Sequence, residues 1–384
     1  MTDVLFEITA EHLETGLRGI PVGYCTTSKV DPEKGLFYRE YPISDLAFWE
    51  PERVIYLLYY GTEPQVEELK VFKAELQKRG YCHSSVLKHI EALPKEGHPM
   101  ALFSAAILIL GMFVLTGDWK EDCLNVIATA PIIAAAVINA HAGWGKTPAS
   151  KPELGYMENF AHMLKAPNMG GEDWIQLLKL YNILHFDHGG GNLSTFVGKT
   201  VASGLEDMYG SLASAMNALA GPRHGRANQE CLHFVEEMLR DLGPGASEIK
   251  VESHIRNKLE KNELVYGFGH AVLRVEDPRA TILYELGKEK FSQNALLQLA
   301  LCIRSGGSKV LKENPKISNP YPNVDAISGT LLTAAGFSYP EYYTVLFGLS
   351  RIVGIAIQIV YERCIAREGK GTPIVRPKYI YKKI

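Results

Sequence analysis

The chain has 384 residues, of which 46% are hydrophobic and 22% charged, and its formal net charge is -3. That length supports a large core carrying a smaller domain, or two domains. The near-neutral charge excludes an electrostatic footprint for nucleic acid and a polybasic membrane patch.

The N-terminal stretch carries acids and lacks a basic region leading into an apolar one, so neither a signal peptide nor a presequence is read there. The six cysteines are scattered without a C-x-x-C pair and read as reduced thiols of a cytoplasmic protein. Residues 20–41 read as a small antiparallel hairpin, Val22–Thr27 and Leu36–Tyr41 around the turn Asp31–Gly35.

Helical patterns follow. Pro51 opens one through Tyr60, closed by Gly61. Thr62-Glu63-Pro64-Gln65 resembles a capping box before a helix that Gly80 closes. Val86, Ile90 and Leu93 mark another, stopped by Pro94. Residues 99–117 and 123–145 carry no charge and are long enough to span a bilayer. Their polar residues and the absence of a positive-inside pattern favour two wholly buried helices over a membrane hairpin. Met157–Leu164 and Trp174–Leu184 are shorter helices, and a long small-residue segment runs from Ser194 to Ala220. Amphipathic helices fill Ala227–Glu263 and the stretch after Pro278. Leu296–Ile303 precedes a loop over Ser305–Val324, residues 325–366 return to apolar helix, and the tail from Arg367 is extended. The fold class is all-α with a small N-terminal β-hairpin. The composition shifts divide it into a large domain (1–225), a smaller one (226–325) and the rest of the large one (326–384).

Several polar groups stand where packing alone would not put them. His185-Phe186-Asp187-His188 has a spacing compatible with a metal site, but the Gly189–Gly191 run also suits a loop that admits a ligand. An ordinary structural histidine and anion binding by His188 remain open there. His224 sits in a turn punctuated by Gly221, Pro222 and Gly225. Gly267, Gly269 and His270 form another posed loop, after which Asp277 and Pro278 cap a helix with Arg279 in its first turn. Arg279 is either an exposed arginine or aimed at an anion. Arg351 lies inside an apolar helix and needs a carboxylate partner, internal or from a substrate. Asp325 is either a helix N-cap or a base tuned by burial. Posed histidines, one aspartate and several arginines suit a small di- or tricarboxylate and proton abstraction beside a carbonyl.

The pieces HFDHGGGNLST (185–195), GPRHGRAN (221–228), GFGHAVLRVEDPR (267–279), NVDAISG (323–329) and YYTVLFGLSR (342–351) together resemble the citrate synthase family over nearly the whole chain. The resemblance implies an all-α homodimer with a mobile small domain and with helices 99–117 and 123–145 at the subunit interface. It implies an acyltransferase of the tricarboxylic acid cycle that condenses acetyl-CoA, its co-substrate, with oxaloacetate, with no permanently bound cofactor and no metal. Propionyl-CoA as acyl donor (2-methylcitrate synthesis), or the same chemistry run towards citrate cleavage, is the alternative. By resemblance Asp325 is the base, His224 stabilises the enol and His270 polarises the oxaloacetate carbonyl. His188, Arg279, Arg351 and, from the neighbouring subunit, Arg376 hold the carboxylates. Ser194 orients His224 and Phe347 confines the site, while Val265, Tyr266, Gly267, Phe268 and Gly269 pass along the adenine end of CoA. Two departures from the family stand out: Glu40 in a position usually held by glycine, and Lys316 and Ser318 where animal enzymes carry two lysines near CoA.

Overall fold

The structure, a computed structural model, describes residues 4–383. Helix makes up 58% of it and strand 3%, which places it among all-α folds. The strands β1 (Ser28–Asp31), β2 (Gly35–Tyr38) and β3 (Tyr41–Pro42) form an antiparallel meander. Asp31 Oδ1 accepts the Glu33 and Lys34 amides, at 2.9 Å each, and so sets the first turn. The resulting register pairs Ser28 with Tyr38, which corrects the expectation of a strand over Val22–Thr27. That stretch forms no strand, and Val22 and Tyr24 are exposed. Arg39, not Glu40, takes the left-handed conformation of the second turn, with φ 52°. Glu40 pairs with Lys29 at the surface, 2.8 Å away.

Helices α1 (Ile43–Leu46), α2 (Pro51–Tyr60), α3 (Val66–Arg79) and α4 (Ser84–Glu91) follow. The cap of α3 lies three residues later than expected: Glu68 accepts the Gln65 amide at 2.8 Å. Next come α5 (Pro99–Val114), α6 (Trp119–Ala142), α7 (Tyr156–Met163) and α8 (Glu172–His185). Pro131 removes one hydrogen bond from the middle of α6. The freed Ile127 carbonyl accepts the Tyr156 hydroxyl at 2.9 Å, which keeps the break satisfied. The most apolar stretch of α6 is 94% buried within its own chain, so no second subunit is needed to cover it. Of α5 and α6, it is α5 that leaves an apolar face open, at Leu108, Met112 and Phe113.

The 194–220 segment is two helices, α9 (Leu193–Ser203) and α10 (Met208–Leu219), because Asp207 caps a new start by accepting the Gly210 amide at 2.8 Å. The chain continues through α11 (Ala227–Leu242), α12 (Glu248–Glu260), α13 (Pro278–Lys290) and α14 (Ala295–Lys312). Helix α14 runs nine residues beyond the expected end at Ile303. Gly306 and Gly307, read as a loop signal, serve close packing instead: a Cβ on Gly307 would overlap the Phe268 ring. The apolar block 325–366 divides into α15 (Asp325–Ala334) and α16 (Tyr343–Val360), and the tail is irregular. One large apolar core gathers α2, α5, α6, α8, α10, α13, α15 and α16. A second, built on Phe234, Met238, Val251, Ile255 and Ile303, joins α11, α12 and α14.

Candidate active site

Seven segments carry the polar groups singled out above: the end of α8 with the following glycine loop, the start of α9, the turn after α10, the loop 265–277, the start of α13, the start of α15 and the middle of α16. His185 does not face an open cleft. It is fully buried, its Nδ1 donates to the Tyr181 carbonyl at 2.7 Å, and its ring stacks on Tyr181. Asp187 is also fully buried and accepts from Thr27, from Ser28 Oγ at 2.8 Å, from Gln358 Nε2 at 2.8 Å and from the His188 amide at 2.9 Å. The H-x-D-H spacing therefore anchors the glycine loop to β1 and α16. His188 is left with a buried Nε2 that has no partner, its ring centroid 5.1 Å from that of His270.

The protein imposes opposite tautomers on the two other histidines. Ser194 lies in the first turn of α9, where a backbone amide has no intrahelical acceptor. That amide donates to His224 Nε2 at 3.2 Å, with Ser194 Oγ 2.9 Å from the same nitrogen. The acceptor Nε2 leaves the His224 proton on Nδ1. In His270 the roles reverse: Nδ1 accepts the Val272 and Leu273 amides at 3.0 and 2.9 Å, so the proton sits on Nε2. Burial, aided by Arg351 for His224 and by Arg279 for His270, pushes each down to about 4. Both are neutral hydrogen-bond donors near pH 7.

Asp325 is the first residue of α15, not its cap. Asn323 Oδ1 accepts the Asp325 amide at 3.0 Å, while Asn323 Nδ2 donates to the Gly269 carbonyl at 3.0 Å and its amide to the Gly267 carbonyl at 2.9 Å. One side chain thus ties the His270 loop to the Asp325 helix. Gly267 permits this approach: its φ is 82°, and a Cβ there would stand 2.7 Å from Cys231 Sγ. Asp325 Oδ1 is buried without a partner, and burial pushes the carboxyl up to about 7 despite Arg279. Sequence reasoning passed over Asn323, although an Asn two residues ahead of a helix's first acid is a recognisable cap signal.

The two buried arginines differ. Arg279 is 4% exposed and holds the Asp277 carboxylate through Nη2 at 2.7 Å and Nε at 3.0 Å, so part of its fork is already occupied. Arg351 is 2% exposed; its Nε donates to the His185 carbonyl at 2.9 Å, and it lies 4.8 Å from the Phe347 ring centroid. It forms no ion pair among the described residues. Burial pushes it down to about 10, still charged at neutral pH. A guanidinium held this way is a receptor for a carboxylate. Phe347 also stands 6.4 Å from His224 between ring centroids. Arg376 is exposed in the tail of its own chain, and Tyr266 is 36% exposed at the rim.

Two predictions arise here. Asn323→Ala is expected to cost about 1 kcal/mol of stability as a lost cap and to lower kcat about 100-fold by loosening Asp325 against His270. Asn323→Asp keeps the cap but cannot donate to Gly269, so its melting temperature should recover while kcat stays low. The second concerns acid. Four histidines (185, 188, 224 and 270) are held below the ordinary 6.5, burial being the main cause in each. Their contribution is complete above pH 6.5 and is lost as pH falls toward 4, because the unfolded chain takes up protons first. Asp325 acts oppositely, adding stability below pH 3.8 that is lost as pH rises through about 7. Four groups outweigh one. Thermal melts should therefore show falling stability between pH 6.5 and 4.5, by roughly 1.4 kcal/mol per pH unit for each net proton.

Known proteins share this architecture. The family profile described as "Citrate synthase, C-terminal domain" matches residues 16–378. The chain is 35% identical to a mitochondrial citrate synthase of Daucus carota, covering 98% of this chain and 83% of that protein. It is 34% identical to a peroxisomal citrate synthase of Saccharomyces cerevisiae, over 97% and 84%. Among solved structures it resembles the citrate synthase of Thermotoga maritima, with TM-score 0.82, 27% identity and coverage of 97% and 96%. It also resembles the citrate synthase of Thermoplasma acidophilum in its ternary complex with carboxymethyl coenzyme A and oxaloacetate, with TM-score 0.84, 25% identity and 96% of both chains covered. With the profile spanning nearly every residue and the relatives matched almost end to end, the chain belongs to the citrate synthase family.

Proposed function

We propose that this site joins the methyl carbon of acetyl-CoA to the ketone carbon of oxaloacetate and then hydrolyses the citryl thioester to citrate and CoA. The observation that carries the reading is the pair of neutral histidines with opposite tautomers, together with a buried carboxylate whose Oδ1 has no partner. Asp325 removes a proton from the acetyl methyl, and its raised affinity for protons suits a base working near neutrality. His224 donates through Nδ1 to the thioester oxygen as charge develops, a contribution of about 3–4 kcal/mol for one fixed donor. His270 donates through Nε2 to the ketone oxygen and supplies the proton that makes it the citryl hydroxyl. His188, Arg279 and Arg351 hold the carboxylates of oxaloacetate, and Phe347 closes the wall beside His224 and Arg351.

The wider reading has three parts. The protein works as a homodimer in the cytoplasm, with Arg376 reaching the oxaloacetate of the neighbouring subunit. Residues 226–325 move as a small domain that closes over the substrates and excludes water until hydrolysis. Val265–Gly269 lie along the adenine end of CoA, and acetyl-CoA is a co-substrate beside no resident cofactor or metal. The test is thiol release by the purified protein with oxaloacetate and acetyl-CoA, run beside propionyl-CoA. Release that depends on both substrates is expected, faster with acetyl-CoA; none with either thioester would overturn the reading. A preference for propionyl-CoA would reassign the donor, since one methylene is worth only about 1–3 kcal/mol of discrimination.

A further inference from the structure

Beneath the glycine loop that follows His188 lies a buried charge pair with no part in the chemistry above. Lys199 of α9 is 8% exposed, and its Nζ stands 2.9 Å from Glu362 Oε1 just past α16. The same ammonium is 3.4 Å from Gln358 Oε1 and 3.5 Å from the Tyr24 carbonyl. Gln358 in turn donates through Nε2 to Asp187 Oδ1 at 2.8 Å and to the Gly189 carbonyl at 3.4 Å. The loop backbone rests directly on this group: a Cβ on Gly190 would meet Lys199 Nζ at 2.9 Å and Gln358 Oε1 at 3.2 Å.

An ammonium and a carboxylate are costly to bury, and their attraction offsets that cost only in good geometry. A helix that could carry an apolar residue at this point instead carries a cation, fixed by Glu362 and pressed against the segment whose other face presents His188. Glycine at 190 is what lets the loop come down onto it. Glu362 also accepts the Thr372 amide through its backbone carbonyl at 2.9 Å, at the root of the C-terminal tail.

We propose that Lys199, held by Glu362 and acting through Gln358 and the 187–190 backbone, is a positioning residue for the oxaloacetate half of the site. It sets the height of the glycine loop and with it the place of His188. The inference rests on the reading of His188 as an oxaloacetate ligand.

Three variants test it by calorimetric titration with oxaloacetate and by steady-state kinetics. Gly190→Ala presses a methyl against Lys199 Nζ and Gln358 Oε1, both held by other partners, so the loop lifts by a few tenths of an ångström while the fold is kept. Lys199→Met with Glu362→Gln removes both charges together, so that neither is left buried alone. Both are expected to weaken oxaloacetate binding about tenfold, as a displaced ligand does, with the KM for acetyl-CoA unchanged. His188→Gln is the reference. If it weakens oxaloacetate binding while the other two, folded by circular dichroism, bind as tightly as the parent, the role of Lys199 is refuted and the site reading stands. If His188→Gln itself binds oxaloacetate normally, the site reading fails first. A parallel rise in the KM for acetyl-CoA would mark a general loosening of the fold and equally overturn the specific role.

Discussion

Asp325→Asn is expected to lower kcat by about three orders of magnitude, within the range of a positioned general base, while oxaloacetate still binds with near-parental affinity. Asparagine fills the same space at the start of α15 and leaves the Asn323 cap in place, so the fold has no reason to change. What disappears is the only group at this position able to take a proton. The pH profile adds a second readout. Burial pushes Asp325 up to about 7, so the parental kcat/KM for acetyl-CoA should fall on the acid side of pH 7 as the base becomes protonated. That acid limb should be missing from the variant's residual rate. A near-parental kcat for Asp325→Asn would remove it from the role of base.

Arg351→Met is expected to weaken oxaloacetate binding by at least about 30-fold and, at the same time, to raise the melting temperature of the substrate-free protein. Both effects share one cause. The guanidinium is 2% exposed and has no carboxylate as an ion-pair partner among the described residues. Its fall from 12.5 to about 10 corresponds to on the order of 3 kcal/mol of unfavourable burial. Methionine removes that strain and fills the apolar surroundings of α16. Removing one partner of a buried charge pair typically costs 2–5 kcal/mol or more, so affinity for oxaloacetate should fall by roughly 30-fold to several thousand-fold. Calorimetric titration measures the first effect and differential scanning calorimetry the second. Oxaloacetate should raise the melting temperature of the parent and leave that of the variant unmoved. A variant that is both less stable and still able to bind would show that Arg351 is structural.

The helices were legible because their signals are local. Pro51 and Gly61 bracket α2 by the chemistry of a first turn and a left-handed cap, and neither depends on anything distant. The errors fell where a distant partner decided. Gly306 and Gly307 look like a loop until Phe268 is packed against them. Ser194–Ala220 is the local exception: Asp207 caps a new helix by accepting the Gly210 amide three residues on. Asp325 passed for a helix cap because its true neighbour in that role, Asn323, also reaches Gly269 across the cleft.

By itself the sequence determined that the chain is helical, which residue types stand in posed turns, and that they suit a polycarboxylate and a base. Those conclusions follow from periodicity, capping chemistry and the cost of placing polar groups in apolar surroundings. Only the tertiary structure decided which proton each histidine carries, because tautomers are set by backbone amides from Ser194, Val272 and Leu273. It also distinguished Arg351, which lacks an ion-pair partner, from Arg279, which grips Asp277. It placed Lys199 beneath the glycine loop as well. Each of these is a matter of which groups meet after the chain has folded, and spacing along the chain does not contain it.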